Sequence, residues 1–358
     1  MSAAPEEPPV IGITAGDLNG IGLEVIIKTL SEPGILELCT PVVLANAKVA
    51  SYHRNAIERR DFNFHIVPEM DKIQAGKPNL LNCWEEEVNL SLGEENPEVG
   101  AFAVRMLDAA IPHLKSGALQ GLVTAPIHKK SIQSAHFQFT GHTDYLEERF
   151  GARATMLMIS EEMRMALTTV HVPLAAVTAL ITQERVYQKI ADLHDIMQRD
   201  FHLSKPRIAV LALNPHAGDH GVMGDEDRQQ VAPAIKQAFA EGYLAFGPYP
   251  ADGFFGSARH RQFDVVLAQY HDQGLVPFKA SSFGTGVNVT AGLPIIRTSP
   301  DHGTAFDLAG QGIASPDSFR QALYTAIDLV KRRSQSDDDR SNPLKVKQKN
   351  SKKDKPHR

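Results

Sequence analysis

The chain alternates short apolar runs with stretches of helical periodicity, a rhythm that predicts βαβ units on a largely parallel sheet. Val10–Thr14 reads as a first strand, followed by a Gly-rich turn and a helix over Leu23–Leu30. Pro41–Ala45 and Asn63–Val67 read as further strands. Glu98–Lys115 carries Val99, Phe102, Ala103, Met106 and Leu107 at helical spacing. Gly121–Thr124 is a strand feeding the turn Ala125-Pro126, and Thr155–Ile159 with Met165–Val170 reads as a pair of strands. A helix from Thr182 to Arg199 leads to a strand at Arg207–Ala212, and a helix over Gln229–Glu241 precedes a strand at Val265–Ala268. A last helix covers Pro316–Arg332, and no internal repeat is evident. The expected class is α/β.

A chain of 358 residues exceeds what one hydrophobic core usually serves, so two domains are expected. With 42% hydrophobic and 22% charged residues the composition is that of a soluble globular protein. The net charge of -5 gives no reason to expect nucleic acid as the main partner. Cys39 and Cys83 are too few for a disulfide framework and suit a reducing cytoplasm. No apolar run approaches the roughly 18 residues of a membrane span. The opening MSAAPEEPP lacks the basic and apolar regions of a signal peptide, so a cytoplasmic location is expected. From Ser334 to Arg358 the chain loses nearly all apolar residues and reads as a disordered basic tail.

Candidate chemistry concentrates between Asp264 and Gly312. The apolar run Val265–Ala268 delivers His271 and Asp272 at its end, and Lys279, Asn288, Arg297 and His302 follow on Gly-rich backbone. Such cations suit an anionic ligand, because Arg binds carboxylate or phosphate bidentately and Lys acts as a point charge. His171 in LTTVHVPL and His216 in LALNPHAG share the context of His271, each just after an apolar run. They lie 45 and 55 residues apart, so local spacing does not separate a shared metal from three unrelated histidines. His142-Thr143 opens a helix in FTGHTDYLEERF, which reads either as capping or as an anion site. Asp252 in PYPADGFFG and Asp272 read as acid–base candidates or as turn residues. The turn GITAGDLNGIG follows a strand and opens a helix, yet holds no GxGxxG and no GxxxxGK[ST]. As a nucleotide site its signal is weak.

Taken together, GITAGDLNGIGLEV, VTAPIHKKSI, GHTDYLEERF, TTVHVPL, LNPHAGDHGVMGDED, AQYHDQGLVPFK and GTGVNVTAGLPIIRTSPDHGTAFDLAGQG resemble the 4-hydroxythreonine-4-phosphate dehydrogenase family of vitamin B6 biosynthesis. The likeness runs from Ile11 to Gly312. It implies two α/β/α domains flanking a cleft, of the isocitrate and isopropylmalate dehydrogenase type. The expected division is residues 1–135 with 300–333 against 136–299, the latter carrying the metal histidines. By resemblance, His171, His216 and His271 match ligands of one divalent metal (zinc, magnesium or cobalt). His142, Thr143, Lys279, Asn288 and Arg297 match substrate-binding positions. Asp252, Asp272 and Lys279 are the candidates for proton transfer. Gly284, Gly286, Asn288, Gly292 and Asp301 are the candidates for holding NAD or NADP.

The implied reaction oxidises 4-phosphooxy-L-threonine to a β-keto acid that decarboxylates to 3-amino-2-oxopropyl phosphate. The implied assembly is a homodimer with shared active sites. Two segments depart from the usual pattern: GDLNGIG stands where GDPAGIG is common, and NPHAGDHG where NPHAGEGG is common. These keep open a different phosphorylated acid, such as 4-phosphoerythronate or phosphothreonate. A non-catalytic metal- or phosphate-binding protein on the same fold is the remote alternative.

Overall fold

The computed structural model describes residues 7–133, 137–139, 141–282 and 284–342. Its strands are β1 (Val10–Thr14), β2 (Thr40–Ala45), β3 (His65–Val67), β4 (Asn79–Asn82), β5 (Gly121–Thr124) and β6 (Thr155–Ile159). They continue as β7 (Arg164–Leu167), β8 (Arg207–Leu211), β9 (Leu244–Tyr249), β10 (Val265–Ala268), β11 (Val287–Ala291) and β12 (Ile296–Pro300). All belong to one sheet in the order β3-β4-β2-β1-β5-β12-β11-β6-β7-β10-β8-β9. The six strands from β3 to β12 in that order are mutually parallel. The four from β7 to β9 are parallel among themselves. Between the two sets, β11 and β6 each run antiparallel to both neighbours. The α/β class expected from the alternating pattern is thus the one observed.

The pairing of Thr155–Ile159 with Arg164–Leu167 is antiparallel. Four strands escape the pattern reading: β4, β9, β11 and β12. The last two matter most. Their shared face carries Asn288, Thr290, Arg297 and Ser299, so apolar periodicity is broken where the sheet is buried around polar groups. The Gly-rich backbone expected after Asp272 is also corrected, because His271–Ser282 forms a helix. Gly274 and Pro277 disfavour a helix there, and burial of Leu275 and Phe278 against the sheet overrides them. Gly274 lets the helix approach closely: a Cβ there would lie 2.7 Å from the Leu167 side chain.

The disordered tail expected from Ser334 is corrected over its first residues, which continue the last helix. The last helix runs Asp317–Ser341. Its extra turns are fastened to the helix Gln183–Arg199 and the residues after it, through Arg333–Asp200 (2.8 Å), Arg199–Asp337 (3.2 Å) and His202 Nδ1 with Ser336 Oγ (3.0 Å). Fixed polar partners replace the missing apolar face. The rest of that reading, residues 343–358, lies outside the described residues, as does the start of the chain, residues 1–6.

The turn after β1 is a packing device. Its N–H groups are spent internally: Asp17 donates to Pro126 O (2.9 Å), Gly20 to Asp17 O (3.1 Å) and Ile21 to Thr304 O (3.1 Å). A Cβ at Gly22 would fall 2.1 Å from Ala15 O, so glycine is required by close backbone contact. The helix Gly22–Leu30 then secures the segment beyond Asp301. Buried Glu24 accepts from the Ala314 N–H (2.9 Å), and Lys28 Nζ donates to Glu24 Oε1 (2.8 Å), Gly312 O (2.9 Å) and Ala314 O (2.6 Å).

Candidate active site

Strand alternation puts the side chains of one sheet face into a cavity of about 270 Å³ where β5, β12 and β11 meet. Thr290 pairs directly with Arg297 and Asn288 with Ser299, while β12 runs parallel to β5, which ends in Thr124. Thr124, Asn288, Arg297 and Ser299 therefore line the cavity together. The helix His142–Phe150 lays its first turn over them, adding His142, Thr143 and Asp144. The segments leaving β5 and β12 close the rim with Lys129, His302 and Gly303, and His171 reaches in from beyond β7.

Arg297 dominates the electrostatics. It is 3% exposed, and no carboxylate among the described residues lies within ion-pairing distance of it. Its guanidinium is met by hydroxyls alone: Nε and Nη2 donate to Thr124 Oγ1 (3.1 and 2.5 Å), and Nη1 donates to Thr290 Oγ1 (3.0 Å). Burial pushes its pKa down to about 9, which still leaves it protonated at neutral pH. His142 is held well below the usual histidine value by burial and then by the Arg297 charge, so its ring is neutral. His142 Nε2, Asn288 Oδ1 and His302 Nε2 are buried and lack a partner among the described residues. His302 Nδ1–H donates to Gly303 O (2.9 Å), so its unpartnered ring nitrogen is the one left for a ligand. A buried cation without a counter-ion among the described residues, sharing a cavity with unsatisfied polar atoms, is the constitution of a site for a polar anion.

The sheet order explains the three histidines. β7, β10 and β8 are adjacent and parallel, so His171, His271 and His216 follow three neighbouring carboxyl ends. His171 and His271 come together, with ring centroids 5.8 Å apart. Gln269 and Gln273 fasten the His271 turn to the end of β8, donating to Leu211 O (2.7 Å) and Ala212 O (2.6 Å). The His216 turn is tied down by Asp227, which accepts from the N–H groups of Leu213 (2.7 Å) and Asn214 (2.9 Å). His216 itself has φ of 52° and opens a run of left-handed backbone through His220. Among the described residues of one chain, no three metal-ligating side chains form a cluster.

The donor set still suits a divalent ion. His271 Nδ1–H donates to Asp272 Oδ1 (2.7 Å), the pairing that orients an imidazole for its other nitrogen to bind metal. His171 is lowered by burial, then by Lys129 and His271, and so stays in the neutral, ligating form.

Other expected residues fall nearby or apart. Lys279 is exposed on the helix His271–Ser282 and pairs with Asp301 (3.2 Å), beside the rim residue His302. Gly286 is a packing glycine, since a Cβ would meet the Phe278 ring at 2.8 Å, whereas Gly284 and Gly303 face open space. Gly292 is not brought to the site. It turns the chain between β11 and β12 at the end away from Ser299, with φ of +87° and a Cβ position 2.9 Å from Arg153 O. Asp252 is exposed on the helix Ala251–Gly256 after β9 and does not line the cavity. The sequence reading missed Thr124, Thr290, Ser299 and Lys129. The signal available for the first was a hydroxyl ending an apolar run just before Ala-Pro.

Comparison with known proteins places this geometry. The sequence profile of the family described as pyridoxal phosphate biosynthetic protein PdxA matches residues 37–326. A 4-hydroxythreonine-4-phosphate dehydrogenase of Bacteroides thetaiotaomicron is 47% identical over 94% of this chain and 92% of its own length. One from Prosthecochloris aestuarii is 38% identical over 88% of this chain and 96% of its own. The crystal structure of 4-hydroxythreonine-4-phosphate dehydrogenase from Klebsiella pneumoniae superposes with a TM-score of 0.77 at 32% identity, covering 90% of this chain and 99% of that one. By profile, by relatives and by fold, the chain belongs to the family of the pyridoxal phosphate biosynthetic protein PdxA.

Proposed function

We propose that this chain is a dehydrogenase that oxidises 4-phosphooxy-L-threonine with NAD, giving a β-keto acid that decarboxylates to 3-amino-2-oxopropyl phosphate. The observation that carries the reading is Arg297, a buried cation with no counter-ion among the described residues, lining a cavity of about 270 Å³. An anionic group of the substrate supplies the missing charge. Asn288 Oδ1, a buried acceptor, takes a hydroxyl or ammonium proton of the same molecule. His142, neutral and with no partner at Nε2 among the described residues, adds a hydrogen bond without adding charge. Thr143 stands beside them, its Oγ1 3.5 Å from Thr290 Oγ1.

A divalent ion (zinc, magnesium or cobalt) would be held by His171 and His271, with His216 as the third imidazole. When bound, it supplies a Lewis acid that lowers the pKa of the substrate hydroxyl and polarises the carbonyl formed from it. Asp272 keeps His271 oriented, and Lys279 with Asp301 offers a proton-carrying pair at the rim. NAD or NADP would lie along the segment from Asp301, where Gly303 leaves open space, and near Gly284. The group it supplies is the hydride acceptor.

The assembly we propose is a homodimer. Val172, Leu174 and Val276 are large, apolar and exposed (37%, 71% and 64%) close to His171 and His271. Covering them with a second copy would enclose the metal side of the site. The two-lobe division, 1–135 with 300–333 against 136–299, and a cytoplasmic location belong to the same reading.

The test is a substrate panel with and without divalent metal. Metal-dependent nicotinamide reduction preferring 4-phosphooxy-L-threonine supports the reading, and preference for 4-phosphoerythronate or phosphothreonate reassigns the substrate. Undiminished turnover in His216→Ala, with metal stripped, would sink the three-histidine site.

A further inference from the structure

We propose that Thr124 and Thr290 are positioning residues that aim Arg297 at the substrate's oxyanion, and that their being hydroxyls sets the site's demand for an anion. The proposal rests on the cavity being the substrate site. A guanidinium has five N–H donors. Thr124 Oγ1 takes those of Nε and Nη2, and Thr290 Oγ1 takes one of Nη1. One N–H remains on each terminal nitrogen, available to a carboxylate or phosphate.

Both threonines are buried (Thr124 0% and Thr290 1% exposed) and sit on strands, Thr124 at the end of β5 and Thr290 directly across from Arg297. Their branched side chains have few rotamers, so the hydroxyl positions are fixed before any ligand arrives. Arg297 is thereby held in its binding geometry, and little order is left to be gained on binding.

The choice of hydroxyl over carboxylate is the second half of the inference. Aspartate at either position would pair with Arg297 and neutralise it, and its charge would repel an incoming anion. A hydroxyl satisfies the N–H groups and leaves the whole positive charge for the ligand. Thr143 Oγ1, 3.5 Å from Thr290 Oγ1, extends the line of hydroxyls toward the start of the helix His142–Phe150.

Thr124→Val keeps the shape and removes the acceptor, while Thr124→Ser keeps the acceptor. We would measure inorganic phosphate binding by calorimetry together with KM and kcat for wild type, Thr124→Val, Thr124→Ser and Thr290→Val. Loss of hydrogen bonds to a charged group predicts phosphate affinity lower, and KM higher, by about tenfold or more in both valine variants. A change of kcat below about threefold and recovery in the serine variant complete the expected pattern. A purely structural role would lower the melting temperature without moving KM. Valine variants with wild-type phosphate affinity and KM would overturn the proposal, as would a serine variant no better than valine. If Thr124→Val does not fold, Thr290→Val and Thr124→Ser decide the matter. Wild type without turnover on any phosphorylated hydroxy acid refutes the functional reading alone, because phosphate binding still reports on the threonines.

Discussion

Replacing Arg297 by methionine separates two roles that a buried arginine can have. A structural arginine holds the fold together, whereas a ligand-binding one weakens it until the ligand arrives. Arg297 is 3% exposed, has no carboxylate partner among the described residues, and is pushed from 12.5 down to about 9 by burial. At about 1.4 kcal/mol per unit, keeping that charge in the fold costs on the order of 5 kcal/mol. The sign follows from linkage: the folded value lies below the unfolded one, so the penalty is full at neutral pH and is relieved only as pH rises through 9. The hydrogen bonds to Thr124 and Thr290 return about 1 kcal/mol each, and methionine forfeits them. The net expectation for Arg297→Met without ligand is a melting temperature equal to wild type or a few degrees higher. Substrate affinity should fall by at least about a hundredfold, since a charge-assisted bidentate contact is lost. Thermal unfolding with and without substrate, beside calorimetric titration, reads both. A variant that melts several degrees below wild type while binding substrate normally would refute the reasoning.

Three further outcomes follow from the burial of charged groups. His53 is 1% exposed, donates from Nε2 to Leu18 O (2.8 Å), and is pushed down to about 4 by burial. Because the unfolded ring protonates near 6.5, stability should drop by about 3 kcal/mol as pH falls from 6.5 to 4; His142 acts in the same direction, and His53→Gln should flatten the slope in denaturant titrations at several pH values. Glu24→Gln takes the counter-charge from Lys28, which keeps only the Gly312 and Ala314 carbonyls, and should cost up to about 3 kcal/mol, with faster hydrogen exchange in residues 301–314 as its local signature. Asp200→Asn strands Arg333 in a buried site and should lower stability by about 3–5 kcal/mol, and Asp200→Asn with Arg333→Met should recover part of that loss in thermal melts.

Legibility in the sequence followed the physics of each element. Strands with uniformly apolar residues, such as Val10–Thr14 and Val265–Ala268, stood out because both faces are covered and the run is unbroken. β11 and β12 did not, since VNVTA and IRTSP place Asn288, Thr290, Arg297 and Ser299 in the middle of the sheet around the site. Function erased the pattern that would have revealed structure. The three histidines could be tied to three strand ends, but only the order β7-β10-β8 makes those ends neighbours, and order is not written in any local spacing. Thr124 was illegible for another reason. A lone threonine at a strand end is ordinary, and its role depends on Arg297, 173 positions away. The motif series from Ile11 to Gly312 identified the family that the profile and relatives then showed. The helical course of residues 334–341 was missed because ion pairs to Asp200 and Arg199, rather than an apolar face, hold the last turns of the helix.

The most direct test of the central claim is nicotinamide reduction by the purified protein with 4-phosphooxy-L-threonine, before and after removal of divalent metal, with carbon dioxide followed in the same sample. Turnover that requires the metal, releases carbon dioxide and disappears in Arg297→Met is the predicted result. Absence of reduction with this and every other phosphorylated hydroxy acid, in protein shown to be folded and metal-loaded, would contradict the account.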